Sequence, residues 1–340
     1  MKMLRVAKED EGQRLDKYLK KHLKYAASGF IYKMLRKKNI TLNSKKASGS
    51  EIIKEADEIS FFFSDETYKK FTNDLKDREV SGSGNEGSKH LKPGEICYED
   101  ENTLVVNKPC GMLSQRDKSG DISMNDLCLR HYYGTLRENT GYSSDFVPSI
   151  CNRLDRNTSG LIIFAKNYRA FRMITDSIKK GEIGKYYFCL VKGKTEEGGM
   201  IKTWYKKDGN QNKAVILTEP EEGVKYAETR YKRMAYNGEL SLLRVKLITG
   251  RSHQIRAHMA HIGHPVLGDT KYGDKTLNKK YRESHGVTCQ LLHAGELVFP
   301  GYPEPLKDIS DKKIVCELPE IYKEILNGDM EFQRSSGFHP

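Results

Sequence analysis

A carboxylate between two arginines is the pattern in this chain that most directly suggests chemistry. The segment NRLDRNTSG, at residues 152–160, places Asp155 between Arg153 and Arg156 in a run rich in turn-forming residues. An arginine beside the carboxylate would favour its ionised form, which suits an anion acting as a nucleophile or an electrostatic partner. An aspartate in a polar turn is more often a hydrogen-bonding or capping residue, so this segment alone leaves both interpretations open.

The same tripeptide, Arg-Leu-Asp, also occurs near the N-terminus, in QRLDKYLKKHL at residues 13–23. Here Asp16 falls in the first turn of a predicted helix, where the helix dipole and nearby lysines favour a carboxylate. We therefore expect a structural role for Asp16.

The segment that contains Asp16 is predicted to be a small basic module. From Lys17 to Ser50 it has ten Lys and Arg residues and no Asp or Glu, and the whole chain carries a formal charge of +12. Its apolar residues keep helical spacing in two stretches, followed by short predicted strands at 40–42 and 58–63. A merely solvated helix face usually mixes both charge signs, so the acid-free faces favour a polyanion-binding surface over a solvated one.

Two stretches of this module, EGQRLDKYLKKHL and GFIYKMLRKKNITLNSKKASGSEI, resemble the S4 RNA-binding module. The resemblance implies that the two helices lie on folded RNA and contact phosphates while reading little sequence. The candidate RNA-binding residues are the cations of these helices: Lys17, Lys20, Lys21, Lys33, Arg36, Lys37 and Lys38.

Changes in composition predict the domain organisation. Residues 1–63 form the basic module, and residues 64–93, which include SGSGNEGS, are typical of a flexible linker. A larger domain follows at 94–322, and the polar residues 323–340 are expected to form a loosely ordered tail.

The larger domain has more strand signals than helix signals. A hairpin is predicted around residues 96–106, and strands at 161–165, 186–191, 226–234 and 240–248, with helical spacing around 124–131 and 171–178. Because strands and helices do not alternate regularly, the pattern favours an α+β fold over a doubly wound one. We expect a largely antiparallel mixed sheet flanked by helices and loops, preceded by the small α/β module.

Composition also indicates the cellular location of the protein and the state of its cysteines. The opening MKMLRVAKED lacks the apolar region of a signal peptide, and no stretch approaches the roughly 20 apolar residues that span a bilayer. We expect a cytoplasmic protein without a membrane partner. The seven cysteines are never two or three residues apart, as zinc sites and redox dithiols require, so reduced, unpaired thiols are expected.

Five ordered blocks of the larger domain resemble the RluA-type pseudouridine synthases, over about residues 94–305. The blocks are ENTLVVNKPCGMLS at 101–114, NRLDRNTSGLIIFAKN at 152–167, GKYYFCLVKG at 184–193, TGRSHQIRAHMAHIGHPVLGDTKYG at 249–273 and LLHAGELVFPGYP at 291–303. The resemblance implies that the protein isomerises uridine in RNA to pseudouridine, with no cofactor and no metal.

The resemblance also implies roles for individual residues. Asp155 would be the catalytic carboxylate, Tyr187 would lie against the uracil, and Arg256 would pair with the carboxylate. Arg153 would fill the gap left when the uridine is flipped out of its stack. Further substrate-binding positions are Asn107, Lys108, Arg251 and His253.

The chain departs from the family pattern at two positions. Asn152 stands where many members carry histidine, so that position cannot be a required proton carrier here, although asparagine keeps hydrogen-bonding capacity. Cys110 stands where a smaller residue is more common, which we interpret as a difference in packing.

Two rival functions remain. The cluster His253, His258, His261 and His264 is compatible with a metal site, although Pro265 follows directly and the synthase resemblance already accounts for the block. A non-catalytic S4-type RNA-binding or ribosome-assembly factor is the other alternative. For an active enzyme, the resemblance favours large-subunit ribosomal RNA over tRNA as substrate, and we expect a monomer with no obligate protein partner.

Overall fold

The computed structural model describes residues 2–23, 25–64, 67–68, 71–72, 90–136, 146–208 and 213–328. Most of the predicted linker at 64–93 therefore lies outside the described residues. Within the described ranges, no helix has the length and apolar character needed to cross a membrane.

The described residues form seven α-helices and fifteen β-strands. The helices are α1 (Leu15–His22), α2 (Ser28–Arg36), α3 (Met124–Leu136), α4 (Tyr168–Lys180), α5 (Gln254–His261), α6 (Lys275–His285) and α7 (Glu320–Gly328). The strands are β1 (Lys2–Arg5), β2 (Ile40–Leu42), β3 (Lys45–Lys46), β4 (Glu58–Phe61), β5 (Ile96–Glu99), β6 (Thr103–Lys108), β7 (Ser149–Ile150), β8 (Ser159–Ala165), β9 (Gly184–Lys192), β10 (Gly198–Asp208), β11 (Lys213–Leu217), β12 (Lys225–Tyr236), β13 (Leu240–Leu247), β14 (Leu292–Val298) and β15 (Lys313–Val315).

The chain divides into two compact units that are not continuous in sequence. The first unit combines Met1–Leu91 with Leu127–Ser149 and Phe164–Ile174, and the second combines Lys92–Asp126, Ile150–Ile163 and Thr175–Pro340. The domain boundaries predicted at residues 63 and 93 stay a prediction.

The N-terminal module has the predicted separation of apolar and cationic faces. Its four-stranded sheet has the order β1-β4-β2-β3, and apolar residues of α1 and α2, such as Leu15, Leu19 and Leu35, are buried in a common core with Ile40 and Phe61. The seven candidate RNA-binding cations, Lys17, Lys20, Lys21, Lys33, Arg36, Lys37 and Lys38, are all exposed.

The larger sheet has eleven strands and confirms the predicted α+β class. Its order is β11-β10-β12-β13-β9-β14-β8-β6-β5, with β15 beside β14 and β7 beside β8. The pairs from β11 to β14 are antiparallel, whereas β8 and β14 run parallel. The predicted strands at 161–165, 186–191, 226–234 and 240–248 lie within β8, β9, β12 and largely within β13, while β10, β11 and β14 were not predicted.

The C-terminal segment requires a correction. Residues 323–328, expected to belong to a loose tail, complete helix α7. Tyr322 and Ile325 are each 1% exposed and pack with Tyr281 and Leu242 in one core. Apolar positions spaced three residues apart bury this helix despite its polar composition, and residues 329–340 lie outside the described part.

The larger sheet presents two different faces because side chains alternate along each strand. In β9, Tyr187 is buried on one face while Tyr186 lies on the opposite one. Helix α5 packs on the Tyr187 face, where the ring nitrogens of His258 lie 2.8 and 2.9 Å from the hydroxyls of Thr203 and Thr229.

Candidate active site

The loop that carries Asp155 connects β7 to β8 and is anchored at its start by Asn152. The side-chain oxygen of Asn152 accepts a hydrogen bond from the Ile163 backbone N–H at 2.8 Å, and its amide nitrogen donates to the Leu161 carbonyl at 3.2 Å. Asparagine therefore retains hydrogen bonds at the position where histidine is common, and these bonds fix the loop to β8.

A serine from a distant block holds the residue next to the carboxylate. The buried hydroxyl of Ser114 donates to the Leu154 carbonyl at 2.8 Å and accepts from the Leu154 N–H at 3.0 Å. Both backbone polar groups of Leu154 are thus satisfied by one side chain, which fixes the backbone immediately before Asp155.

Lys108 supports the same loop from beneath. Its side chain is 0% exposed, and Nζ donates to the carbonyls of Pro109, Met112 and Arg156 at 2.9, 2.8 and 3.0 Å. Burial lowers the pKa of Lys108 to about 7, against the opposing effect of the Asp155 charge. The prediction that Lys108 contacts substrate is corrected, because a lysine this buried, with three carbonyl partners, positions the loop instead.

A glycine allows β8 and β14 to approach closely just after the Asp155 loop. Gly160 has φ of +114° and pairs with Ala294 in the parallel ladder. A Cβ at Gly160 would collide with the Ala294 backbone, so this strand pair, and the loop that precedes it, require glycine at that position.

Arg256 connects two carboxylates. It projects from α5 and is 5% exposed; its Nε and Nη2 each lie 2.7 Å from a carboxylate oxygen of Asp269, a bidentate pair. Its Nη1 lies 3.6 Å from Oδ2 of Asp155. Asp269 also accepts backbone N–H groups of Lys271 and Tyr272, so it fixes the guanidinium that faces Asp155.

His253 approaches the same oxygen of Asp155. It precedes α5 in a left-handed conformation with φ of +56°, and its Nε2 lies 3.8 Å from Oδ2 while Nδ1 lies 3.2 Å from the Tyr272 hydroxyl. Burial lowers the pKa of His253 below its usual range, and the Asp155 charge opposes this effect. A neutral imidazole is thus favoured beside the carboxylate.

Tyr187 borders the site from β9. It is 8% exposed, and burial, with a smaller contribution from the negative charge of Asp155, raises the pKa of its hydroxyl well above the usual range. The Tyr187 hydroxyl therefore stays protonated across the neutral range.

The arginines adjacent to Asp155 in sequence do not pair with it in the described structure. Arg153 is exposed, and Arg156 forms an ion pair with Asp121 and donates to the Gly111 carbonyl. The expectation that a flanking arginine acts on Asp155 is therefore corrected: its cationic neighbour, Arg256, comes from a separate block.

The other predicted substrate-binding residues differ in their placement. Asn107 is half-buried at the end of β6. The Nε of Arg251 donates to the Tyr226 carbonyl at 3.1 Å, near the start of β12 and two residues before His253. Asp155, His253 and Arg256 are brought together directly, whereas Arg251 lies at the sheet edge.

Three residues of the site were not predicted from the sequence: Ser114, Asp269 and Tyr272. Each lies inside a block that resembled the family, MLS at 112–114 and GDTKYG at 268–273. Asp269 could have been predicted, because it is a carboxylate that follows Arg256 in the same block and a buried arginine requires a partner.

The histidines that suggested a metal have other partners. His258 is enclosed between Thr203 and Thr229, and burial lowers its pKa to about 4. His264 Nδ1 lies 2.8 Å from the Lys192 carbonyl. Among the described residues, no three His, Cys, Asp or Glu side chains are grouped as metal ligands.

Two cysteines from distant segments lie side by side. The sulfur atoms of Cys110, in the turn after β6, and Cys289, before β14, are in contact, while their Cα atoms are 7.7 Å apart, wider than a disulfide spans. The expected reduced thiols and the packing role of Cys110 stay predictions.

Comparisons with known proteins identify the family. Residues 102–261 match the RNA pseudouridylate synthase family. An uncharacterized RNA pseudouridine synthase of Mycoplasma genitalium is 33% identical over 301 residues, which cover 87% of this chain and 88% of that protein. The chain belongs to the RNA pseudouridine synthase family. A ribosomal large subunit pseudouridine synthase C of Rickettsia felis is 33% identical over 270 residues, covering 78% of this pseudouridine synthase and 83% of the relative.

The fold of this pseudouridine synthase is shared with a solved structure. Human RNA pseudouridylate synthase domain containing 4 superposes with a TM-score of 0.54 at 22% identity, covering 68% of this chain and 91% of that chain. As a pseudouridine synthase, the protein breaks the N-glycosidic bond of a uridine in RNA, and the detached uracil rotates and is rejoined to the ribose through carbon.

Proposed function

We propose that this pseudouridine synthase modifies uridine in large-subunit ribosomal RNA, and that Asp155 is its catalytic carboxylate. The observation that carries the proposal is the convergence of His253 and Arg256 on one oxygen of Asp155, whose side chain is 36% exposed. A carboxylate that is open to a ligand on one side and fixed by a cation on the other suits attack at, or proton removal beside, the anomeric carbon.

Arg256 and Tyr187 have different roles around Asp155. Arg256, held by Asp269, orients the carboxylate and is unavailable for other partners. Tyr187 lies against the uracil, and its protonated hydroxyl can donate to a carbonyl of the rotating base.

Three further residues contact the RNA outside the target base. Arg153 replaces the flipped uridine in the stack, since a planar, weakly hydrated guanidinium can stack and still hold phosphate. Asn107 and Arg251 contact the neighbouring nucleotides.

The choice of ribosomal RNA has two supports. The Rickettsia felis relative is named for the large ribosomal subunit. In addition, the N-terminal module, which we propose is an S4-like RNA-binding domain at residues 1–63, has an exposed cationic face suited to a large folded RNA. The catalytic domain, at residues 94–322, then acts as a cytoplasmic monomer, and tRNA is the alternative substrate.

The test is a transcriptome-wide map of pseudouridine in ribosomal RNA and tRNA. Cells with the wild-type protein are compared with cells that lack it and with cells that carry Asp155→Asn or Asp16→Asn. We expect a site in large-subunit ribosomal RNA to vanish in the deletion and in Asp155→Asn, and to persist in Asp16→Asn, which alters the other Arg-Leu-Asp tripeptide.

The outcomes separate the parts of the proposal. A site that vanishes in the deletion and persists with Asp155→Asn contradicts the role of Asp155. A site that vanishes from tRNA alone contradicts the choice of ribosomal RNA.

A further inference from the structure

The face of the large sheet opposite Tyr187 is only partly covered. Helices α6 and α7 pack on one end of it, around Leu190 and Leu242. Toward β10 and β12 the strands alternate between buried Ile201, Thr203 and Tyr205 and their outward neighbours.

We call these outward neighbours the open face and define it by six residues: Lys202, Trp204, Lys206, Tyr226, Arg230 and Lys246. Strand register places them side by side, because Trp204 is opposite Tyr226 and Arg230 is opposite Lys246. Directly opposed residues of an antiparallel pair share a face. The three lysines and Arg230 are exposed, Tyr226 is 36% exposed, and Trp204 is half-buried. Within the described residues, no helix packs over them.

The charge of the open face is positive. Glu228, which lies between Tyr226 and Arg230 in β12, is 7% exposed, pairs with Arg230 at 2.8 Å and accepts a hydrogen bond from the Tyr226 hydroxyl at 2.7 Å. Glu228 therefore fixes these two side chains while its own charge is compensated. Exposed Glu219, Glu221 and Glu222 lie in the connection between β11 and β12.

The aromatic pair provides flat surfaces between these cations. The rings of Trp204 and Tyr226 meet edge to face, with centroids 5.8 Å apart. Unpaired bases stack on such rings, and flanking Lys and Arg residues hold the phosphates. Duplex RNA does not present its base faces, so this combination fits a single-stranded segment.

The open face is connected to the active site at the sheet edge. Arg251 donates to the Tyr226 carbonyl at 3.1 Å, and the same loop continues into His253, beside Asp155. This loop therefore links the active site to the strand that carries Tyr226.

We propose that the open face binds an unpaired segment of the RNA substrate beside the target uridine, with bases stacked on Trp204 and Tyr226 and phosphates held by Lys202, Lys206 and Lys246. The proposal rests on the RNA substrate of the family and is independent of the choice of ribosomal RNA.

Trp204 is the single tryptophan of the chain, so its fluorescence reports on this face alone. The full-length protein is titrated with an oligoadenylate of about 12 nucleotides, a length within the site sizes of single-strand binders. The probe contains no uridine, so a loss of catalysis cannot affect the result. We expect saturable quenching, and a titration without quenching overturns the proposal.

A charge variant and a matched control test the phosphate contacts by anisotropy of the labelled oligonucleotide. Lys202→Ala/Lys206→Ala/Lys246→Ala should flatten the salt dependence of log Kd by about 0.7 per lost contact. Lys275→Ala/Lys279→Ala/Lys307→Ala removes the same charge from exposed positions elsewhere and should leave the slope unchanged. Equal slopes for the two triple variants overturn the proposal.

A variant that removes the stacking ring, and vesicles that test for membrane binding, complete the test. Trp204→Leu keeps an apolar side chain, and we expect it to weaken oligoadenylate binding about 5-fold or more. Vesicles of phosphatidylcholine and phosphatidylserine should not quench Trp204. Quenching by these vesicles without quenching by the oligoadenylate identifies a membrane-binding face and overturns the proposal.

Discussion

Asp16 and Asp155 occupy the same tripeptide and have opposite environments. Asp16 is 13% exposed and accepts hydrogen bonds from Arg14 two residues earlier, from the Tyr32 hydroxyl and from the Lys17 N–H. These contacts, the Arg14 hydrogen bond foremost, lower the pKa of Asp16. Asp155 is 36% exposed, and within the described residues no donor forms a hydrogen bond to its carboxylate, while Arg256 stands 3.6 Å away.

The difference distinguishes a carboxylate used for stability from one kept available for a ligand. Asp16 has local partners that satisfy its lone pairs, and so it stabilises the start of α1. The loop around Asp155 is fixed instead by Ser114 and Lys108, which bind its backbone and leave the side chain open. A site that must bind substrate retains unsatisfied acceptors and places its stabilising contacts on neighbouring groups.

The largest expected difference in rate and stability is between two substitutions, Arg256→Gln beside Asp155 and Arg14→Gln beside Asp16. Arg256→Gln should lower the rate of pseudouridine formation about 10²- to 10³-fold and cost about 3 to 5 kcal/mol in unfolding free energy, because Asp269 is left buried without its cation. Arg14→Gln should leave the rate unchanged and cost less than about 1 kcal/mol, since Arg14 is half-exposed.

Tritium release from RNA labelled at uracil C5 measures the rate, and urea titration measures stability. Arg256→Lys is the control for charge, because it keeps the cation but cannot form the bidentate pair. Should Arg256→Gln retain the wild-type rate while folded, the orienting role of Arg256 is wrong.

Acid should weaken the unit that contains Asp155 before it affects the contacts of Asp16. Burial lowers the pKa of both His258 and His293 from 6.5 to about 4. The unfolded chain therefore binds more protons than the folded one between these values, and the unfolding free energy falls as pH falls through this window. The loss is about 2 kcal/mol per histidine between about pH 7 and about pH 5. The lowered pKa of Asp16 keeps its contribution until pH falls below 3.8.

Urea unfolding followed by Trp204 fluorescence at several pH values checks this expectation. His258→Gln should reduce the loss between pH 7 and pH 5 by about 2 kcal/mol, and His261→Gln, at an exposed position, should preserve it. A wild-type unfolding free energy that is constant between pH 7 and pH 5 contradicts the assignment of neutral, buried histidines.

The smallest expected effect is the difference in stability between two conservative substitutions. Asp16→Asn should cost about 1 kcal/mol, because it weakens the hydrogen bonds from Arg14 and Tyr32. Asp155→Asn should change the unfolding free energy by less than about 0.5 kcal/mol, although it removes activity. Thermal and urea unfolding of the two full-length variants measure both values, and an Asp155→Asn variant that loses more stability than Asp16→Asn reverses the comparison.

Local patterns predicted much of the fold. The alternation around Tyr186 and Tyr187 placed β9 correctly, and the spacing of leucines in QRLDKYLKKHL placed α1, because these periodicities are set by the backbone itself. Helix α5 differs from α1 because all of Gln254 to Met259 is buried, so its polar residues Arg256 and His258 contact other protein groups and do not form a solvated face.

The partners within the site were less accessible to prediction. Sequence adjacency suggested Arg153 and Arg156 as neighbours of Asp155, whereas tertiary packing supplies Arg256, and Arg256 in turn requires Asp269. Contacts between residues so far apart depend on strand order and helix placement, which the spacing of residues along the chain does not record. The sequence blocks that contain the site residues were identified correctly, but the contacts between residues of different blocks are seen only in the structure.

The two faces of the sheet impose a constraint on how this enzyme can change over evolution. Val245 pairs with Tyr187 on the catalytic side, and its neighbour Lys246 belongs to the open face. Since side chains alternate, gain or loss of a single residue within β13 would move the side chains beyond it in this strand to the opposite face. Substitutions can adjust either face separately, whereas insertions and deletions are confined to the connecting turns, so the strand lengths should vary less among relatives than the loops between them.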